Sequence, residues 1–114
     1  MPKDKSKTYQ AKLRYSAMSA RKIRPYANLV RGRYADVALE ILSCYPSRGA
    51  RLIESVIKSA LANAQDRHAT NTSDFEVLEI RIDGGPMTRR FRPKSRGASS
   101  IYLKRSSHIT VVVG

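Results

Sequence analysis

The sequence has no tryptophan, one cysteine, two histidines and, across residues 84–114, no acidic side chain at all. Each shortage excludes something. Cys44 has no partner for an intrachain disulfide, which fits a reducing compartment. Lying in an apolar helical pattern, it reads as a small buried hydrophobe. His68 and His108 stand far from Cys44 and from each other, with no metal-ligand spacing around either. Ser107 and His108 are adjacent in a strand pattern, so their side chains point to opposite faces and cannot form a catalytic dyad. Gly84-Gly85-Pro86 lacks the spacing and the following helix of a phosphate-cradling loop and reads as a hinge. No apolar run approaches the roughly 18 residues of a membrane span, and the first residues lack the apolar stretch of a secretory signal. An enzyme, a metal or cofactor carrier and a membrane-inserted chain are therefore not expected.

What is present is positive charge, unevenly placed. The 114 residues carry a formal charge of +13. Residues 1–33 hold ten Lys/Arg and one acid, residues 34–83 hold five against eight acids, and residues 84–114 hold seven and none. A merely soluble basic surface would scatter its cations. Confinement to the two ends is what a polyanion facing those ends requires.

The densest stretch runs from Gly85 to Gly97, with five cations, one aromatic and no acid. Strand-like segments at 75–83 and 101–113 flank it, so it reads as a hairpin arm over about 84–104. The connection is far longer than the two to five residues of a compact hairpin. Eight or so extended residues per limb, at roughly 3.3 Å each, would carry it roughly 25 Å from the body. Arg92-Pro93-Lys94-Ser95 is the expected turn, with proline fixing one turn position. With Lys104 and Arg105 included, arginine outnumbers lysine five to two, favouring bidentate phosphate contacts. Phe91 and Tyr102 fit base stacking and ribbon bracing equally well.

The rest reads as one domain over residues 9–114, preceded by a loose basic tail at 1–8. Tyr9, Ala11, Leu13 and Tyr15 alternate with Gln10, Lys12 and Arg14, a half-buried strand with a basic outer face. Ser19 is placed to cap a helix with Ile23, Tyr26, Ala27 and Val30 inward and Gly32 closing it. Arg21, Lys22 and Arg24 crowd the positive end of that helix, a conflict that a docked phosphate would resolve. Pro25 predicts a kink, or a helix starting later than Ser19. Asp36 is placed to cap a second helix burying Val37, Ala38, Ile41 and Leu42, ended by Pro46. Ser47 caps the longest, whose Ala50, Ile53, Val56, Ile57, Ala60, Leu61 and Ala64 form one core stripe. His68, Thr70, Asn71, Thr72 and Ser73 make a polar loop. Leu78, Ile80 and Ile82, then Ile109, Val111 and Val113, supply two buried strand faces. The fold class is α+β: three helices packed on a small antiparallel sheet, with a long protruding β-hairpin whose limbs continue the last two strands.

Lys58-Ser59-Ala60-Leu61-Ala62-Asn63-Ala64, Asp83-Gly84-Gly85-Pro86, the run Arg89 to Gly97, and Lys104-Arg105-Ser106-Ser107-His108-Ile109-Thr110-Val111-Val112-Val113 together resemble the bacterial large-subunit ribosomal protein twenty-two family. The similarity runs from about Ala11 to Val113 and includes Ser19-Ala20-Arg21-Lys22 and Leu29-Val30-Arg31-Gly32. The resemblance implies a cytoplasmic, ribosome-bound structural protein with no catalytic residues and no cofactor. Its partners would be large-subunit ribosomal RNA, neighbouring proteins including ribosomal protein four, and the nascent peptide. The hairpin would penetrate folded RNA, its tip lining the peptide exit tunnel with Met87, Thr88, Arg89, Arg90, Phe91, Arg92, Pro93 and Lys94. In such a family, changes in this stretch alter macrolide tolerance and peptide stalling. The expected RNA contacts are Lys12, Arg14, Arg21, Lys22, Arg24, Arg31 and Arg33 at one end and Arg89, Arg90, Arg92, Lys94, Arg96, Lys104 and Arg105 at the other. Three positions depart from the family pattern: Gly84 replaces a usual glutamate, Ala98 a common arginine, and Pro25 interrupts a helix normally without it.

A rival of another class is a free architectural DNA-binding protein with a basic β-arm in the minor groove. Such arms come in pairs from a dimer, and the single apolar stripe of the long helix suffices for only one core.

Overall fold

The computed structural model describes residues 8–67, 75–93 and 99–114, for 88, 90–93 and 99–103 the backbone only. The basic tail before Thr8 and the polar loop expected at 68–73 lie outside the described residues. Chain order is β1 (Tyr9–Ser16), α1 (Ala20–Val30), α2 (Ala35–Ser43), α3 (Arg48–Asp66), β2 (Val77–Gly84), β3 (Thr88–Pro93), β4 (Ser99–Lys104) and β5 (Ser107–Val113). The body is a three-stranded antiparallel sheet in the order β1-β5-β2, with α1 and α3 packed on it and α2 against both.

β5 sits in the centre because its side chains are the most apolar. Ile109, Val111 and Val113 are all 0% exposed, facing Ala11 on β1 and Ile80 and Ile82 on β2. α3 covers that face with the expected stripe: Ala50, Ile53, Val56, Ile57, Ala60 and Ala64 are buried and Leu61 partly so. α1 adds Ile23, Ala27 and Val30. Ser107, also fully buried, donates to the Met18 carbonyl at 2.8 Å and accepts from Ser16 Oγ at 2.7 Å, so its hydroxyl is satisfied. His108, its neighbour, faces the other way.

The arm departs from the expectation of two continuous limbs. β2 ends at Gly84, three residues intervene, and β3 pairs with β4 as a separate two-stranded sheet, from Thr88↔Lys104 to Pro93↔Ser99. Arg105 and Ser106 break the second limb. The Gly85 amide donates to the Ser106 carbonyl at 2.9 Å, clamping the two limbs at the root. A side chain on Gly85 would meet Ser106 Oγ at 2.6 Å, so close approach is what glycine provides there. Arg92 and Pro93, expected in the turn, are inside the ladder; Lys94 and Ser95 lie outside the described residues. β3 and β4 contact chiefly each other. The molecule measures 64 × 26 × 23 Å with a radius of gyration of 17.3 Å, against about 13 Å for a compact chain of this length.

Several local expectations are corrected. α1 runs from Ala20 through Val30 with Pro25 inside it, so the helix does not start late. Proline costs only the bond to the Arg21 carbonyl, which lies at an exposed position where water can replace it. Asp36 lies in the first turn of α2, whose cap position is Tyr34, and its charge there still complements the helix dipole. Val37 is 41% exposed, and Ala35 takes the inward place. Cys44 is exposed, because it falls one residue past the end of α2, beyond the buried stripe. Tyr15 is also exposed, because the β1–β5 register shifts between Leu13 and Ser16 and brings Ser16 inward instead. Gly32 closes α1 as expected, with φ +82° that glycine tolerates.

Candidate nucleic-acid interface

The first turn of α1 lies beside the arm's root. Ser19 occupies the cap position without a side-chain hydrogen bond, and no acid follows it in the first turn. Among the described residues, the Ala20 and Arg21 amides find no acceptor. On one side, Ser19, Arg21 and Arg24 face Gly84, Gly85, Met87 and Arg105 across a cleft of about 400 Å³. On the other, Ser19 and Lys22 face Arg48, Lys104 and Arg105 across one of about 580 Å³. Two helix starts, α1 and α3, thus present their positive ends with four arginines and two lysines lining the clefts at the base of the arm, and the exposed Arg89 follows on β3.

 The set is Arg21, Arg24, Arg48, Arg105 and the exposed Arg89 at the start of β3, with Lys22 and Lys104. Among the described residues, none of the seven makes an ion pair. The ion pairs among the described residues belong to the middle of the sequence: Glu54 bridges Arg51 and Lys58 on α3, and Glu79 meets Arg81 on β2. Uncompensated cations gathered in one place repel one another until an external anion neutralises them.

The other expected contacts are distributed differently. Lys12 and Arg14 are exposed on β1 but face the outer side of the sheet, away from the helices. Arg31 and Arg33 are partly committed to the fold. Arg31 donates to the Ile80 carbonyl at 2.8 Å and to Asn28 Oδ1 at 2.7 Å, and Arg33 Nε donates to the Leu29 carbonyl at 2.9 Å. Arg24 likewise reaches the Ile82 carbonyl at 3.2 Å. The Gly32 amide donates to Val77 and the Val77 amide to Arg33, so the open edge of β2 is covered along its length by the α1–α2 connection and two guanidinium groups. An edge strand without such cover invites pairing with another chain. Met87 is 56% exposed beside the arm's root. Arg90, Arg92, Phe91, Pro93 and Thr88 are placed by backbone in β3, whereas Lys94 and Arg96 lie outside the described residues. Sequence reasoning missed Arg48. The signal was available: Ser47-Arg48, like Ser19-Ala20-Arg21, puts a cation in a first turn that holds no acid.

The family model for ribosomal protein L22p/L17e matches residues 11–114. The chain belongs to this family. It is 45% identical over 103 residues to the large ribosomal subunit protein uL22 of Caldicellulosiruptor saccharolyticus, covering 90% of this chain and 84% of that one. It is 46% identical over 99 residues to the uL22 of Rhodopirellula baltica, covering 82% and 83%. The uL22 of Thermoanaerobacter sp. (strain X514) is 42% identical over 100 residues. The residues matched by the family model take in β1 from Ala11, all three helices and both limbs of the arm.

Proposed function

We propose that this chain is a structural constituent of the large ribosomal subunit that binds and organises large-subunit ribosomal RNA. The arm enters the folded RNA, and its far end lines the nascent-peptide exit tunnel, within reach of ribosomal protein four and the growing peptide. The role is positional, with no catalytic step. The observation carrying this reading is a self-paired, acid-free arm whose root collects cations that no ion pair among the described residues neutralises. Membership in the uL22 family and the ribosomal naming of the relatives support the same reading.

Phosphate contacts release counterions, so the salt dependence of binding measures them. Five arm cations on phosphate should contribute a log–log slope of about −3.5 to −4.5. Binding of the full chain to transcribed large-subunit RNA is measured at several salt concentrations, beside a variant with Arg89, Arg90, Arg92, Lys94 and Arg96 all changed to Gln. The variant should lose that share of the slope, and most of its affinity at low salt. Equal slopes for the two proteins would refute an arm bound to RNA.

A further inference from the structure

The outer face of the body sheet carries a second concentration of chemistry, remote in role from the arm. Tyr15 has φ +59°, alone in the left-handed region among the described non-glycine residues. Bulky side chains avoid that conformation, and where one persists its surroundings hold it there. A regular strand would send Tyr15 inward after Ala11 and Leu13. Here it stands 66% exposed.

His108 holds it. The Tyr15 amide donates to His108 Nδ1 at 3.0 Å, and the two rings meet edge to face with centroids 4.9 Å apart. Since Nδ1 accepts, the neutral imidazole keeps its proton on Nε2, which has no acceptor among the described residues. Lys12, Arg14, Thr110 and Asp83 complete the lining of a cavity of about 240 Å³. Among the described residues, the Asp83 carboxylate makes no hydrogen bond or ion pair. A flat aromatic surface, two cations, a free donor and a free acceptor thus surround one small recess.

We propose that this recess holds a single unpaired nucleotide of ribosomal RNA, its base stacked on Tyr15. Unpaired bases are taken from RNA by stacking on aromatic rings and by hydrogen bonds to their edges. His108 Nε2–H and the Asp83 carboxylate supply the donor and the acceptor, which favours a base carrying an exocyclic amino group. Lys12 and Arg14 take the flanking phosphates. A duplex, whose bases are stacked on each other, has no base to offer. The site rests on the RNA-binding reading above and adds to it the recognition of one splayed-out base.

The test uses the full chain and transcribed large-subunit RNA, with Tyr15→Gly, Tyr15→Phe and Lys12→Gln compared at several salt concentrations. Glycine relieves the positive φ, so Tyr15→Gly should fold, with thermal melting as the check. It should bind about 5- to 100-fold more weakly at an unchanged salt slope, the loss expected for one stacked base. Tyr15→Phe, which keeps the ring, should bind like the unaltered chain. Lys12→Gln should instead reduce the slope by about 0.7 to 0.9. Ultraviolet crosslinking should join the peptide containing Tyr15 to an unpaired nucleotide. Unaltered affinity in a folded Tyr15→Gly, or no crosslink at that peptide, overturns the site and leaves the RNA-binding reading intact. Failure of the unaltered chain to bind the transcript overturns both.

Discussion

Two antiparallel sheets in this chain have the same backbone chemistry and opposite sources of stability. The body sheet buries β5 between two strands and under α3, with Ile109, Val111 and Val113 fully enclosed. The arm sheet has two strands, and each contacts chiefly the other. An isolated two-stranded ribbon is marginal in water, and this one carries three arginines along β3 and a lysine at the end of β4 with no acid between them. Ladder hydrogen bonds alone therefore do not decide what is stable; the surface removed from water does. On that ground the body should stand without the arm, whereas the arm should need an anion to hold it.

The most forceful way to break that comparison is to damage each sheet in turn. Ile109→Ala removes a branched side chain from the closed centre of the body and should cost about 2–5 kcal/mol. For a domain of this size, that lowers the melting temperature by roughly 10 °C or more. Removing 88–104 and joining Met87 to Arg105 should leave cooperative melting almost unchanged, because the Gly85–Ser106 hydrogen bond already brings the limbs together below the arm. If calorimetry found the armless chain as unstable as Ile109→Ala, the arm would have to be counted as core.

A finer contrast separates cations that belong to the body from those that face outward. Arg31 covers the β2 edge through the Ile80 carbonyl, whereas the Arg21 side chain makes no hydrogen bond or ion pair among the described residues. Arg31→Ala should therefore destabilise the body by about 1 kcal/mol, the net worth of a hydrogen bond at a partly exposed site. Arg21→Ala should leave melting unchanged and reduce the RNA salt slope by about 0.7 to 0.9. Denaturant unfolding and filter binding, run on both variants, would erase the distinction by returning the same pattern for each.

Such distinctions mark what could be read in the sequence. The α3 stripe was legible because seven apolar positions repeat at one helical spacing, and β5 because Ile109, Val111 and Val113 alternate. The acid-free arm was legible from charge alone. Tyr15 was not, since alternation assumes a regular strand and a register shift reverses every side chain beyond it. The double use of Arg24 and Arg31 was hidden for a different reason. Which carbonyls line an open edge depends on strand order, and β1-β5-β2 cannot be deduced from spacing. Cys44 failed at a helix end, where a buried stripe stops within a residue or two of the last turn.

The smallest expected effect concerns the middle of the chain, where charges are paired internally. Glu54 accepts from Lys58 at 3.1 Å and also pairs with Arg51. The Lys58 hydrogen bond above all, against an opposing push from burial and with the Lys58 and Arg51 charges adding to it, holds the Glu54 carboxyl below its ordinary range. A carboxyl whose folded value is depressed stabilises the fold above its unfolded value, about 4.3, and loses that contribution as pH falls through the folded one. Glu54→Gln should thus melt slightly below the unaltered chain at pH 7, and the gap should close as pH drops below about 4. Its RNA salt slope should stay the same, because Arg51 and Lys58 stand apart from the arm's root. A gap that persisted at the acid end would mean that Glu54 acts through packing, and a changed slope would mean that the internally paired charges of α3 also face the RNA.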